Sequence, residues 1–481
     1  MAIAYNSKVT NPDAIVIGSG PNGLAAAITI ARAGRSVVVY EAEHSIGGGA
    51  RSAELTLPGF VHDICSSVHA MGAASQFLDT IPLSDLGLRW IYPEAGAAHS
   101  FDDGTAIALG RSLAESAAQF EADERSVREL FEPLVESWDK LSSDILRPAR
   151  MPRHPFILGR FGWNAIRSAA SVAFRKFKTP KARAVFAGMA GHSIMPLDSW
   201  GSGAFGILLW TMCYTVGWPF AAGGSQQLTN ALANYLKSLG GEIVTDTRIT
   251  SLEDLPANSV VLCDVTPRQF LEVGGNRVSR TERQKLRKYR YGPGVFKIDW
   301  SLDAPIPWNA KECKKAGTVH LGGTFEEIAQ SERASWRDSP AQLPFVLITQ
   351  PSLFDATRAP AGKHTAWGYC HVPNASDVDM TERIEAQVER FASGFKRHII
   401  ARSVMSPSEF EAHNANLIGG DISGGSFYSS RFLLGATRRA YRTSIPRVYL
   451  CSSSTPPGPG VHGLCGYFAS QLAVEECFSA G

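Results

Sequence analysis

Three glycines, a glutamate and an arginine between residues 13 and 51 are spaced for holding a phosphorylated ligand. The stretch reads DAIVIGSGPNGLAAAITIARAGRSVVVYEAEHSIGGGAR. Its apolar run Ala14 to Ile17 predicts a strand, Leu24 to Ala33 a helix, and Val37 to Tyr40 a second strand. In the turn between them Gly18 permits the tight bend, Gly20 lets the backbone approach a pyrophosphate, and Gly23 lets the helix pack close to the sheet. The helix N-terminus turns its partial positive charge toward the phosphates. Glu41 follows the second strand, 18 residues past Gly23. A carboxylate there can accept hydrogen bonds from both ribose hydroxyls and disfavours a 2′-phosphate, which argues against NADP. The turn alone leaves FAD and NAD both open.

Two further segments supply matching parts. Gly47, Gly48 and Gly49 precede Arg51, a planar cation suited to bidentate pairing with a phosphate. Near the other end, RVYLCSSSTPPGPGVHGLCGYFASQLAVEE predicts a strand at Val448 to Cys451, a loop, and a helix from about Gly463 to Cys477. Gly458, Gly460 and Gly463 repeat the G-x-G-x-x-G spacing in that loop.

Together with GWPFAAGGSQQLTNALANYLKSLGGEIVTDTRITSL, TVHLGGTFEEIAQSE and PFVLITQPSLFDATRAPAGKHTAWGYCHVP, these segments resemble the phytoene desaturase-like (carotenoid/retinoid oxidoreductase) flavoproteins. Within that family they resemble the pyridine nucleotide-disulphide oxidoreductase domain-containing protein 2-like branch. The Gly47-to-Arg51 loop is similar to the pyrophosphate loop that the family shares with amine oxidases and protoporphyrinogen oxidase. The resemblance covers nearly the whole chain and implies an α/β fold. A discontinuous Rossmann-like FAD-binding domain would come from residues 1–80, 220–290 and 420–481, and an interleaved α+β substrate domain from 81–219 and 291–419. It also implies one non-covalent FAD, held by Gly18, Gly20, Gly23, Glu41, Gly47, Gly48 and Arg51. The backbone near Ile249, in a strand from Ile243 to Leu252, would meet the adenine. Gly460, Val461 and Gly463 would close the flavin site, where loop amides and a helix N-terminus stabilise developing negative charge. One departure is Ser452, where relatives usually carry Gly.

The implied chemistry is transfer of a hydride from a substrate carbon to the flavin with loss of a neighbouring proton, giving a new C=C bond in a hydrophobic, isoprenoid-like substrate. Electrons would pass to oxygen, a quinone or another acceptor. His462, in the loop beside the flavin, and His69, after the second glycine cluster, are the candidate proton acceptors, ahead of His371 and Tyr428. An amine or ring oxidase on the same fold is one alternative. A non-catalytic lipid escort resembling the prenyl-binding GDP-dissociation inhibitors is another.

At 481 residues and 44% apolar content the chain is long enough for two interleaved units with a sizeable core. Its eight cysteines are scattered, with no C-x-x-C pair and no metal-ligand spacing, as expected of reduced thiols and no metal. The opening MAIAYNSKVTNP has neither an apolar signal core nor an Arg-rich transit pattern, which predicts a cytoplasmic location.

The net charge of +2 hides a strong asymmetry. From Ile145 to Leu197 there is no Asp or Glu, but seven arginines and three lysines. Within this stretch Trp163, Ile166, Ala170, Ala173, Phe174 and Phe177 fall at helical spacing, opposite Arg167, Ser171, Arg175 and Lys178. Such a helix suits an anionic membrane surface rather than nucleic acid, or else an ordinary domain surface with its apolar face in the core. Ser199 to Leu236 carries no charge at all. A membrane span there would separate the two halves of one flavin site, and Gly201, Gly203, Gly206 and Pro219 are expected to interrupt a helix. The segment therefore reads as the apolar wall of a substrate cavity. Strands are expected at Val295 to Leu302, Pro344 to Gln350 and Thr365 to Val372. An amphipathic helix is expected over Asp377 to Ile400, with Asp379 and Glu382 capping it.

Overall fold

The computed structural model describes residues 11–426 and 437–478. Four-residue apolar runs form the strands Ala14–Ile17, Val37–Tyr40 and Val260–Cys263, and every residue in them is buried. That is the signature of parallel strands covered on both faces. With Glu242–Val244 and Val448–Leu450 they make an all-parallel five-stranded sheet. Its order is 448–450, 260–263, 14–17, 37–40, 242–244. Helices Pro21–Arg32 and Leu464–Cys477 cross closely against it. Gly466 makes that crossing achievable, because a Cβ there would lie 1.7 Å from the Asn22 carbonyl oxygen.

A second, mixed sheet has seven strands in the order 399–405, 294–302, 364–372, 346–349, 316–321, 95–100, 106–110. The pairing of 316–321 with 95–100 is parallel and the others are antiparallel. Helices contributed by residues 113–214 pack in a layer beside it. The three expected strands of this sheet form as Gly294–Leu302, Val346–Thr349 and His364–Val372.

Several expected elements differ in extent. The helix after the glycine turn starts at Pro21, three residues early, because proline at the first helical position loses no hydrogen bond. The expected Ile243-to-Leu252 strand stops at Val244. Beyond it Asp246 takes a positive φ of 53°, and the Asp246 and Thr247 amides donate to the carbonyls of Glu43 and Glu41. The Asp377-to-Ile400 helix runs only over Thr381–Phe391, because Gly394 turns the chain at φ 90° into the strand Ile399–Met405. Asp379 accepts from the Thr381 amide, while Glu382 pairs with Lys396. The single helix expected over 163–178 is two, Pro155–Ala165 and Ala169–Lys176, broken before the Ser168 cap. Conversely, Gly203 and Gly206 do not interrupt Ser202–Tyr214. They sit where a Cβ would come within 2.9 Å of the Arg167 carbonyl and of the Phe186 ring. No helix among the described residues is long and apolar enough to cross a membrane.

A buried ionic node ties a small separate hairpin to the turn at Ala356–Arg358. Asp63, ending the hairpin of Ser52–Glu54 with Val61–Asp63, accepts from Arg358 Nη2 at 2.7 Å. It also accepts from the Ser52 and Ser67 hydroxyls and the Ser225 amide. Arg358 Nε donates to the Val61 carbonyl. Burial alone would raise the Asp63 carboxyl, but the Arg358 charge and these donors hold it well below its ordinary range. Arg358→Met would strand this carboxylate in the interior. We expect a loss of about 3–5 kcal/mol in chemical denaturation, with most of it recovered in the Asp63→Leu/Arg358→Met double variant.

Candidate functional site

The carboxyl ends of strands Ala14–Ile17 and Val37–Tyr40 open on one cavity of about 620 Å³. Gly18 leaves the first strand at φ 99°, a conformation that L side chains avoid. A Cβ on Gly23 would lie 2.0 Å from the Gly18 carbonyl oxygen, so this glycine closes the turn onto itself. A Cβ on Gly48 would lie 3.0 Å from Gly20 Cα, which means the two glycine clusters face each other across the cradle. Gly18, Gly20, Gly48 and Gly49 line the cavity; Gly23 and Gly47 stand behind it.

Glu41 is buried and held from four sides. Oε2 accepts from the Ser19 amide at 2.9 Å and the Ser19 hydroxyl at 2.5 Å. Oε1 accepts from the Glu43 amide at 3.1 Å and Arg51 Nη2 at 3.3 Å. Arg51 is buried too, and its Nε has no partner among the described residues. Ile249 lines the same cavity, but from a loop rather than a strand, beside Thr247 and Arg248. Ser452 also lines it, and its φ is not positive, so the missing glycine introduces no strain there.

Gly460 and Val461 reach the cavity from the C-terminal side, whereas Gly463 caps the helix behind them. His462 does not line the cavity. Its Nδ1 accepts from the Leu464 amide at 2.9 Å and its Nε2 donates to the Gly458 carbonyl at 3.1 Å, so both ring nitrogens clip the loop. Burial holds this imidazole down to about 4, hence neutral. His69 does line the cavity. Ser225 Oγ spends its proton on the Ser66 carbonyl, so His69 Nε2 donates to that hydroxyl at 2.9 Å and Nδ1 keeps a lone pair. His371 Nδ1 meets both Glu332 oxygens, at 2.8 and 2.9 Å, away from the cavity. Tyr428 lies outside the described residues.

Two clusters escape a linear reading. His192 lines the cavity, and its Nε2 lies 2.9 Å from Nε2 of buried His320. Behind it His99 Nε2 lies 3.0 Å from the Gly323 carbonyl, which can only accept. His99 therefore keeps a lone pair on Nδ1. That nitrogen and His320 Nδ1 border the same space over Gly188, where a Cβ would meet them at 3.1 and 2.7 Å. Burial keeps these imidazoles neutral. The second cluster is the buried Lys297–Asp299 pair, with His62 Nδ1 3.4 Å from Asp299 and the Lys297 ammonium 5.5 Å from the centre of the Trp367 ring. The only sequence signal is that Lys297, Asp299 and Ser301 alternate with apolar residues, which an exposed strand face would show equally.

The cavity is electrostatically divided. Its acids, Glu41, Glu43 and Asp264, are all at the cradle. Away from the cradle an apolar stretch of wall is built by Leu146, Phe161, Phe205, Leu208, Leu209 and Trp218. Asp264 Oδ2 accepts from the Gly23 amide at 2.9 Å. Burial, assisted by the Glu41 charge and opposed by that amide, pushes its carboxyl up to about 7. The folded state thus holds this proton where the unfolded chain has lost it, and stability falls as pH rises from about 4 to about 7. Asp264→Asn is expected to flatten this fall, read as Tm against pH.

Residues 16–81 match the family model of an NAD(P)-binding Rossmann-like domain. The mouse (Mus musculus) pyridine nucleotide-disulfide oxidoreductase domain-containing protein 2 is 24% identical over 96% of this chain and 93% of its own length. A neurosporene-forming phytoene desaturase of Rhodobacter capsulatus is 25% identical over 94% of this chain and 92% of its own. Among solved structures, a putrescine oxidase variant superposes with a TM-score of 0.63 at 18% identity, covering 97% of this chain and 98% of that one. Along almost its whole length, then, the chain is a homologue of pyridine nucleotide-disulfide oxidoreductase domain-containing protein 2 and of the phytoene desaturases, on the Rossmann-like two-sheet fold of the amine oxidases.

Proposed function

We propose that the protein is an FAD-dependent dehydrogenase that introduces a C=C bond into a lipophilic, isoprenoid-like substrate. The observation that carries this is a single cavity joining a dinucleotide cradle to an apolar wall. The cradle fits FAD by its own geometry: glycines at contact distance, a fixed carboxylate at Glu41, and an unpartnered buried Nε on Arg51. Bound there, FAD would supply acceptance of a hydride from a substrate carbon. Gly18, Gly20, Gly48 and Arg51 would hold the pyrophosphate, and Glu41 the ribose. The apolar wall would orient the substrate and exclude water.

The proton lost beside the hydride falls to a lone pair at the wall. His69 Nδ1 provides one, and the neutral His192 ring, with its Nε2 against His320, stands at the same wall. An amine substrate is less well served. No carboxylate lines the apolar half, and Trp367 and Tyr369 stack on each other at 5.4 Å, which leaves no slot for a cation between their faces. The facing glycine clusters and the unpartnered Arg51 Nε beside them also speak against an escort without a nucleotide.

Anaerobic mixing of FAD-loaded protein with polyenes, steroids, fatty acyl compounds and amines in liposomes tests the reading. Bleaching of the flavin band by a lipophilic non-amine is expected; bleaching by amines alone would overturn it. His192→Phe is expected to slow that bleaching about 10²-fold or more with FAD affinity unchanged, and His462→Phe to lower thermal stability instead.

A further inference from the structure

The wall of the cavity is one helix thick on one side, and the outside of that helix is also apolar. In Pro155–Ala165, Phe161 lines the cavity. Trp163, about 200° further round the helix, stands 68% exposed, and Phe156, two turns earlier on Trp163's own face, is 92% exposed. Met151 and Trp200 are 87% and 83% exposed. The Gly201 amide donates to the Ile166 carbonyl, which sets Trp200 beside exposed Ile166. The inner helix Ser202–Tyr214 backs this layer and turns Phe205 and Leu208 to the cavity.

Around these side chains the exposed charge is predominantly basic; Asp198, two residues before Trp200, is paired with Arg333, and Asp144 is engaged by the Arg153 and His154 amides. Arg150, Arg153, Arg160, Arg175 and Lys176 are exposed, and none has an ion-pair partner among the described residues. No acidic residue occurs between Ile145 and Leu197. Protruding Trp, Phe and Met ringed by unpaired Arg and Lys match the interfacial zone of an anionic bilayer, where the rings enter the acyl boundary and the guanidinium groups meet headgroup phosphates. A second copy of this face would set arginine against arginine.

We propose that the surface formed by residues 150–176 and Trp200 docks on a bilayer containing anionic lipid, placing the thin wall of the cavity against the membrane. The docking is independent of the chemistry proposed above and is read without turnover. Full-length protein is floated with vesicles of phosphatidylcholine, or of phosphatidylcholine with phosphatidylglycerol. Strong, salt-sensitive binding to the anionic vesicles is expected, with about tenfold or greater loss in Phe156→Ser/Trp163→Ser/Trp200→Ser and in Arg150→Glu/Arg153→Glu/Arg160→Glu. Circular dichroism and Tm confirm that these exposed-site variants remain folded. Absence of wild-type binding, or variants that float like wild type, would overturn the proposal. So would a wild-type dimer in sedimentation that the triple serine variant dissociates, since the apolar residues would then belong to a protein interface.

Discussion

A carboxylate placed where water cannot reach must be satisfied by the protein, and Asp63 makes that demand at the point where everything else joins. Its partners come from the 52–54 strand, the turn before the 70–73 helix, the start of the 226–238 helix and the loop carrying Arg358. Each pairing is short because the alternative is an unpaired charge in the interior. The Ser225 that donates its amide to Asp63 also receives the His69 ring, so the node fixes a side chain at the cavity wall. One ion and its donors thus tie four segments distant in sequence together beside the cavity.

That space is polarised in a useful way. Charge is concentrated at the glycine cradle, where backbone amides and a helix N-terminus compensate it, and it is absent along the aromatic and aliphatic wall. His192 at this wall, with His320 and His99 behind it, adds no charge, because burial keeps each ring neutral. Burial thus does two jobs in the same layer: it excludes water from the wall and holds acid–base groups in a defined protonation state.

How much of this was legible in the chain depends on range. Strands Ala14–Ile17 and Val37–Tyr40, the glycine turn and Glu41 are local and dense in signal, since four apolar residues followed by a required glycine leave few readings. The loop of Ile249 was misread because its β-branched pattern is overridden by hydrogen bonds to the Glu41 and Glu43 carbonyls, which lie some 200 residues earlier. The histidine cluster was invisible because its members come from three elements far apart in sequence: His99 and His320 become neighbours only when their strands pair, and His192 joins from the end of the 180–191 helix. The Trp163 to Phe177 pattern was half right: Ala173 and Phe177 face the core, while Trp163 and Ile166 belong to a different helix and face out.

The order of the parallel sheet sets a schedule for the chain as it is made. Ala14–Ile17 is the central strand, and one of its neighbours, Val260–Cys263, together with the strand beyond it, Val448–Leu450, is synthesised long afterwards. Until those segments arrive, the first βαβ unit exposes an unpaired edge and an uncovered helix face. Gly466 then has to dock within van der Waals range of Asn22, across almost the full length of the polypeptide. Contacts of such sequence separation are slow to close. The glycine turn, made long before its brace, is therefore among the last parts of the molecule to become rigid, and a nascent chain cut anywhere before Leu464 carries every glycine of that turn without the helix that braces it.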